Sequence, residues 1–258
     1  MLLEDRNAVI YGGGGKVGGA VARAFAHEGA RVFLAGRTIT TLDEVAEDIV
    51  SAGGVAETAQ VDALDEQSIE KHIGEVMERA GSVDVSFNAI SIQDVQLTPL
   101  LEMSREDFMR PIHAGTATHF LTARAAARRM ATQGSGVILT FSASAVRAFF
   151  PGVYVGGFGV ACTAIEALTK QLAAEVGPDG IRVNCLRSEG IPESWEGAST
   201  GEWSAPPKEI EAFLKQRSLL GRVTTLADVG NAAAFMASVR AGATTGTVFN
   251  LTSGTVVD

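Results

Sequence analysis

A run of glycines near the start of the chain is the first feature that could do chemistry. Tyr11-Gly12-Gly13-Gly14-Gly15-Lys16-Val17-Gly18-Gly19-Ala20 follows the apolar run Ala8–Tyr11 and opens a helical pattern. Glycines in such a turn let backbone N–H groups approach a pyrophosphate, and the helix N-terminus adds a favourable dipole. A glycine string alone says little, but one lying between a strand and a helix inside a βαβ unit points to a dinucleotide. Gly12, Gly14, Gly15, Lys16, Val17 and Gly18 are the candidate phosphate-binding residues. A second candidate closes the next apolar run, Leu34-Ala35-Gly36-Arg37-Thr38. A carboxylate at this place accepts hydrogen bonds from the ribose 2′-OH of NAD, whereas a cation suits the 2′-phosphate of NADP. Arg37 has a planar head with several donors matched to phosphate oxygens, and Lys16 on the facing turn offers a second charge. The expected cofactor is NADP. NAD, or no nucleotide, is the alternative if Arg37 is only a solvated turn residue.

These residues need a scaffold, and the hydrophobic pattern supplies one. Strand-like runs occur at Ala8–Tyr11, Arg31–Ala35, Glu57–Val61, Val83–Phe87, Val137–Phe141, Ile181–Leu186 and Thr247–Leu251. Most are apolar almost throughout, as buried parallel strands are. Helical stretches lie between them near Gly18–Glu28, Thr41–Ser51, Glu66–Ala80, Arg105–Thr132, Gly157–Val176 and Leu226–Ser238. Strand–helix alternation implies βαβ units with right-handed crossovers. The predicted fold is α/β: a three-layer, doubly wound parallel sheet of Rossmann type, as one domain over residues 1–258. Ser188–Pro207 breaks the rhythm, carrying Pro192, Pro206, Pro207, Trp195 and Trp203. A loop of that length inside a compact domain reads as a substrate lid, or as a surface insertion.

Composition narrows the function classes. The net charge of −9 and the absence of a basic stripe argue against nucleic acid as a partner. Cys162 and Cys185 lack the company needed for a zinc site or a disulfide framework, so no metal is expected. Met1–Arg6 is short and charged, unlike a signal peptide, and no apolar run approaches membrane-helix length. The expectation is a cytoplasmic protein with a small-molecule substrate and no membrane partner.

Taken in order, these motifs resemble the short-chain dehydrogenase/reductase family over nearly the whole chain. Gly12 and Gly18 match the first and third glycines of its Gly-x3-Gly-x-Gly turn, with Lys16 at the middle one. Asp62, followed by Ala63, resembles the family's adenine-contacting Asp. Val137–Phe141 resembles the strand leading to the catalytic Ser. Leu168–Asn184 and the stretch from Thr245-Gly246 to Gly254 are close to the family pattern. The Asn-Asn-Ala-Gly block reads Asn88-Ala89-Ile90-Ser91, which brings Asn88 and Ala89 to the nucleotide side. The resemblance also implies pairing through 105–132 and 157–176 into a homo-oligomer, a dimer or a tetramer.

The same resemblance implies a Tyr general acid/base, a Lys four residues later on the same helix face, a Ser and an Asn. Counting back from Glu175 places the Tyr at Phe158 and the Lys at Cys162. The Asn falls at Gly115 and the Ser at or near Ala143, between Ser142 and Ser144. The Pro-Gly pair after the sixth strand reads Ser188-Glu189. Phe158 has no proton to give and Cys162 no positive charge. Ser144 and Tyr154 are the candidates to take over catalysis, with Ser142 and His113 behind them; each also has a plain packing or surface reading. Divergent enoyl-thioester reductases of the family likewise lose the middle glycine, and their Tyr lies farther upstream of the Lys. Two functions follow. One is an NADP(H)-dependent oxidoreductase on a small carbonyl or enoyl substrate, with non-standard catalytic residues. The other is a non-catalytic nucleotide-binding regulator or partner subunit. A scaffold that has lost the nucleotide as well is a third reading.

Overall fold

The computed structural model describes residues 1–147, 154–195 and 207–257. Seven strands form one sheet in the order β3-β2-β1-β4-β5-β6-β7, and every pairing is parallel. The strands are β1 (Asn7–Tyr11), β2 (Arg31–Gly36), β3 (Val55–Gln60), β4 (Val85–Asn88), β5 (Gly136–Ala143), β6 (Ile181–Ser188) and β7 (Val248–Leu251). The helices are α1 (Lys16–His27), α2 (Ile39–Ser51), α3 (Glu66–Ala80), α4 (Arg105–Gln133), α5 (Gly156–Val176), α6 (Pro207–Arg217) and α7 (Leu226–Ala237). The doubly wound parallel sheet predicted from the pattern is the architecture observed. The central strands are buried on both sides, which is why β1 and β2 read as unbroken apolar runs. β3 differs: it is an edge strand, half-buried along most of its length, and its Glu57 pairs with Arg31 and Arg79.

Two apolar layers sandwich the sheet. On one face Val21 and Phe25 of α1, Leu42 and Ile49 of α2, and Val229 and Met236 of α7 pack against Ile10, Leu34 and Phe87. On the other, Ile69 and Ile73 of α3, Ala126 and Met130 of α4, and Ala173 and Val176 of α5 pack against Val9, Ile138 and Val183. Small residues let α4 and α5 approach closely. A Cβ on Gly115 would lie 3.0 Å from Ile92 Cδ1 and 3.4 Å from Ala161 Cβ.

The sequence pattern gives no helix over 207–217, where the structure has α6. Of the 188–207 segment expected as a lid, residues 188–195 continue from β6 into a short 3₁₀ turn. Residues 196–206, Trp203 among them, lie outside the described residues.

Candidate active site

The strand order reverses between β1 and β4, so the loops leaving their C-terminal ends diverge to opposite faces and open a crevice. A cavity of about 1070 Å³ lies there, and its floor is the glycine turn and the end of β2. Tyr11, Gly12, Gly14, Gly15, Gly36, Arg37, Asp62, Ala63 and Ala89 all line it. The turn fits a close-approaching ligand, because a Cβ on Gly12 (φ +77°) would sit 2.7 Å from the Ala89 carbonyl oxygen. Gly18 has a different part: a Cβ there would collide with the Gly12 carbonyl, so it allows the helix to pack on the turn. The N-terminus of α1 follows Gly15 and has no side-chain cap. Asp65, Ser104 and Thr225 cap α3, α4 and α7. α2 and α5 also lack a side-chain cap, but of these starts α1 is the one that follows the glycine turn, where its first N–H groups could meet an anion.

Arg37 is exposed on the cavity wall, and among the described residues its guanidinium makes no ion pair. Gln60 Nε2 donates to the Arg37 carbonyl at 3.0 Å, fixing the backbone from which the side chain departs. Asp62 Oδ1 accepts from Leu64 N at 3.0 Å. Not every candidate joins the lining. Lys16, expected to face the phosphate with a second charge, is exposed as the first residue of α1 and is not among the residues lining the cavity. Val17 and Gly18 are also outside the lining. So is Asn88, whose side chain is taken up within the protein: Nδ2 donates to Thr122 Oγ1 at 2.9 Å and Oδ1 accepts from Ile90 N at 3.0 Å. It braces the turn after β4 against α4. His113 is exposed on α4 and lines the nucleotide cavity.

The residues that the sequence offers for catalysis lie around the ends of β5 and β6 and the start of α5. Phe158 is half-buried and Cys162 is buried at the first turns of α5. Burial pushes the Cys162 thiol up to about 12, partly offset by a hydrogen bond with the Ala143 backbone. It stays a neutral thiol at ordinary pH. Ser142 is buried and committed: its Oγ donates to Glu166 Oε1 at 2.9 Å and accepts from Cys185 Sγ at 3.3 Å. Glu166 in turn holds Arg187 through two bonds of 2.8 Å each, in a pair almost wholly withdrawn from solvent. Ser144 meets a different carboxylate, donating to Glu189 Oε1 at 2.6 Å. Gly190 N donates to the same oxygen at 3.1 Å, and Thr255 Oγ1 donates to Glu189 Oε2. Tyr154 is exposed just before α5, and its carbonyl accepts from Leu97 N at 2.7 Å. Neither Ser144 nor Tyr154 is among the residues lining the cavity. Asp94, in the loop after β4, has its carboxyl raised by burial, with a hydrogen bond from Gln96 opposing the shift. The residues that sequence reasoning passes over are Glu166, Arg187, Glu189 and Asp94. The only signal for Glu189 is the departure from Pro-Gly at 188–189.

Comparison with known proteins bears on this arrangement. A family model described as enoyl-(acyl carrier protein) reductase matches residues 15–255. The chain belongs to the short-chain dehydrogenase/reductase family. The 3alpha-hydroxysteroid dehydrogenase of Mediterraneibacter gnavus is 31% identical over 261 residues, covering 97% of both chains. An L-rhamnose 1-dehydrogenase (NAD(P)(+)) of Azotobacter vinelandii is 29% identical, covering 100% of this chain and 99% of its own. A solved short-chain dehydrogenase/reductase from Mycobacterium marinum superposes with a TM-score of 0.88 at 27% identity, covering 99% and 97% of the two chains. The family's oxidoreductases act on small molecules with NAD(P) nucleotides. The glycine cradle, the uncapped α1 and the size of the cavity fit such a nucleotide. When bound, that group supplies the redox equivalents, and the protein must orient the substrate and handle a proton. No helix among the described residues is long and apolar enough to cross a membrane.

Proposed function

We propose that the protein is an NADP(H)-linked oxidoreductase of this family, acting on a small carbonyl or enoyl substrate with non-standard catalytic residues. The observation that carries the NADP reading is Arg37, an exposed cation with no ion pair among the described residues, at the cavity end of β2 where a 2′-phosphate would lie. Gly12, Gly14 and Gly15 take the pyrophosphate. Asp62, Ala63 and Ala89 take the adenosine half. Lys16, Val17 and Gly18 contribute backbone at the start of α1, and Asn88 holds the β4 turn. On the substrate side Ser144 polarises the reacting oxygen, and Tyr154 offers a second hydroxyl from the loop before α5. The dehydrogenase names of the relatives support a carbonyl–alcohol couple. The exposed Phe120 and Val160 on α4 and α5 suit pairing of two copies through those helices. The test is a fluorescence titration with NADPH and NADH, followed by NADPH consumption across a panel of aldehydes, ketones and enones. Tight NADPH binding with turnover of at least one member is expected. Binding without turnover across the panel would refute the catalytic part.

One observation favours a second reading, a nucleotide-binding protein without redox activity. Cys162 is a buried, protonated thiol and Phe158 a hydrocarbon where the family's Lys and Tyr are expected, so the usual proton path is absent. That reading predicts NADPH binding together with a partner protein whose activity responds to it.

A further inference from the structure

Among the described residues, one hydroxyl–carboxylate pair close to the vacated positions joins a buried hydroxyl, Ser144, to a carboxylate that is only half-buried, Glu189. Ser144 begins the turn after β5, and Glu189 follows the last residue of β6. The β5–β6 register pairs Ala143 with Ser188, so the next residue on each strand falls side by side. The Ser144–Glu189 bond of 2.6 Å is the product of that register. Among the described residues, the Glu189 carboxyl is held by Ser144 and Gly190 N on Oε1 and by Thr255 on Oε2. Glu189 is half-buried, while the neighbouring Glu166 is sealed against Arg187. The backbone of Ala143, next to Ser144, touches Cys162, which ties the pair to the place of the missing Lys.

Resting on the oxidoreductase reading above, we propose that Glu189 is the proton store of this enzyme, acting through Ser144. In the oxidising direction the substrate O–H bond breaks and its proton passes to Ser144 Oγ. The proton already on Oγ passes to Glu189 Oε1. The carbinol C–H bond gives up its hydrogen with both electrons to the oxidised nicotinamide dinucleotide, and the C=O bond forms. Reduction runs the same path backwards, with Glu189 returning the proton. Thr255 fixes the far oxygen so that Oε1 stays on Ser144. Ser144 is then the catalytic residue, and Glu189 and Thr255 are positioning residues behind it.

The experiment compares wild type with E189Q, E189A, S144A and T255V. NADPH affinity is read by fluorescence, turnover with an activated aromatic vicinal diketone, and folding by thermal unfolding. The pairing is read without turnover from the ¹³Cδ resonance of Glu189, assigned by its loss in E189Q. In S144A that resonance should shift; if it does not move, the pairing is overturned. E189Q should bind NADPH within about threefold of wild type and lose roughly 100-fold or more in kcat, the usual scale for a lost acid/base group. E189A should recover part of the loss in formate or acetate, more with the more basic anion, which a merely structural role would not produce. If E189A does not fold, E189Q carries the kinetic test. If E189Q keeps wild-type kcat, the proposal falls and the oxidoreductase reading stands. If wild type binds NADPH but reduces nothing on the panel, the oxidoreductase reading falls and the proposal with it.

Discussion

Replacing Arg37 by Ala isolates the nucleotide preference. The side chain is exposed at the cavity rim and makes no ion pair among the described residues, so its removal breaks no internal contact. The backbone is held from outside, because Gln60 bonds to the Arg37 carbonyl and not to its guanidinium. The loss should therefore fall on ligand binding and not on folding. A charge-assisted hydrogen bond is worth about 1.5–3 kcal/mol, and exposure to water and salt reduces this to about 1–2 kcal/mol. At 1.4 kcal/mol per tenfold, NADPH should bind roughly 5- to 30-fold more weakly to the variant. NADH, which lacks the phosphate, should change by less than about twofold on the same scale. Fluorescence titration of both nucleotides gives the ratio directly, and a repeat at high ionic strength should shrink the NADPH effect alone. Arg37→Asp should go further and favour NADH, by repelling the phosphate and accepting from the ribose hydroxyl. Equal losses for both nucleotides, or none for either, would refute the assignment of this residue to the 2′-phosphate.

Three further outcomes follow from the same structure. Gly18→Ala should abolish NADPH binding and destabilise the fold by about 1–3 kcal/mol, because the new methyl meets the Gly12 carbonyl, a backbone atom that cannot swing away; binding and thermal unfolding check it together. Arg187→Met should destabilise by about 3–5 kcal/mol, since it leaves Glu166 buried without its partner; at this size that is a Tm drop of roughly 6–20 °C. The double variant E166L/R187M should recover much of the loss, and a double variant no better than the single one would count against the buried-pair account. The third outcome concerns acid stability. His119 and His72 are held down to about 4 by burial, against an ordinary value of 6.5. The unfolded chain therefore binds more protons than the fold between those values. Their stabilisation is complete above pH 6.5 and is lost as pH falls toward 4, at up to about 1.4 kcal/mol per pH unit per histidine. Urea midpoints at pH 7 and pH 5 should differ less in His119→Phe than in wild type.

The elements were legible where local chemistry and tertiary packing agree. The helix Glu66–Ala80 is bounded by an Asp65 N-cap and by Gly81 at φ +79°, both visible as residue types. The buried strands announced themselves as apolar runs because both of their faces are covered. Helix α6 did not, for a definite reason. Pro206-Pro207 reads as loop, yet Pro at a first helical position loses no hydrogen bond, and Pro207 opens the helix. At the site, the glycine turn and Arg37 could be read because their function depends on residue type at a fixed place in one βαβ unit. Lys16 shows the limit of that reasoning. Sequence puts it one residue past Gly15, but the helix begins there and sends the side chain to solvent. The Ser144–Glu189 contact joins residues 45 apart and depends on the β5–β6 register, which no local pattern encodes.

That register also places two carboxylates near the ends of β5 and β6 in different surroundings. Alternate residues of a strand share a face. Cys185 and Arg187 thus share one face of β6 with Glu189 just past its end, and Ser142 lies on β5 with Ser144 opening the turn that follows. The inner half of this polar column is closed. Cys185 bonds Ser142, Ser142 bonds Glu166, and Glu166 bonds Arg187, all buried. A charge pair so enclosed cannot exchange protons without breaking its own bonds, so it acts on stability and shape. The outer half lies two residues further along each chain, where Ser144 is still buried and Glu189 is only half-buried. Ser144 and Glu189 keep the same hydroxyl-to-carboxylate chemistry, with the Glu189 carboxylate partly open to solvent. The two halves should therefore separate cleanly in experiment. Glu166→Gln should lower the Tm while the Glu189 resonance stays in place. Glu189→Gln should spare the Tm and remove turnover. If both variants change Tm and turnover in the same proportion, the column is one structural unit and the division of roles drawn here is wrong.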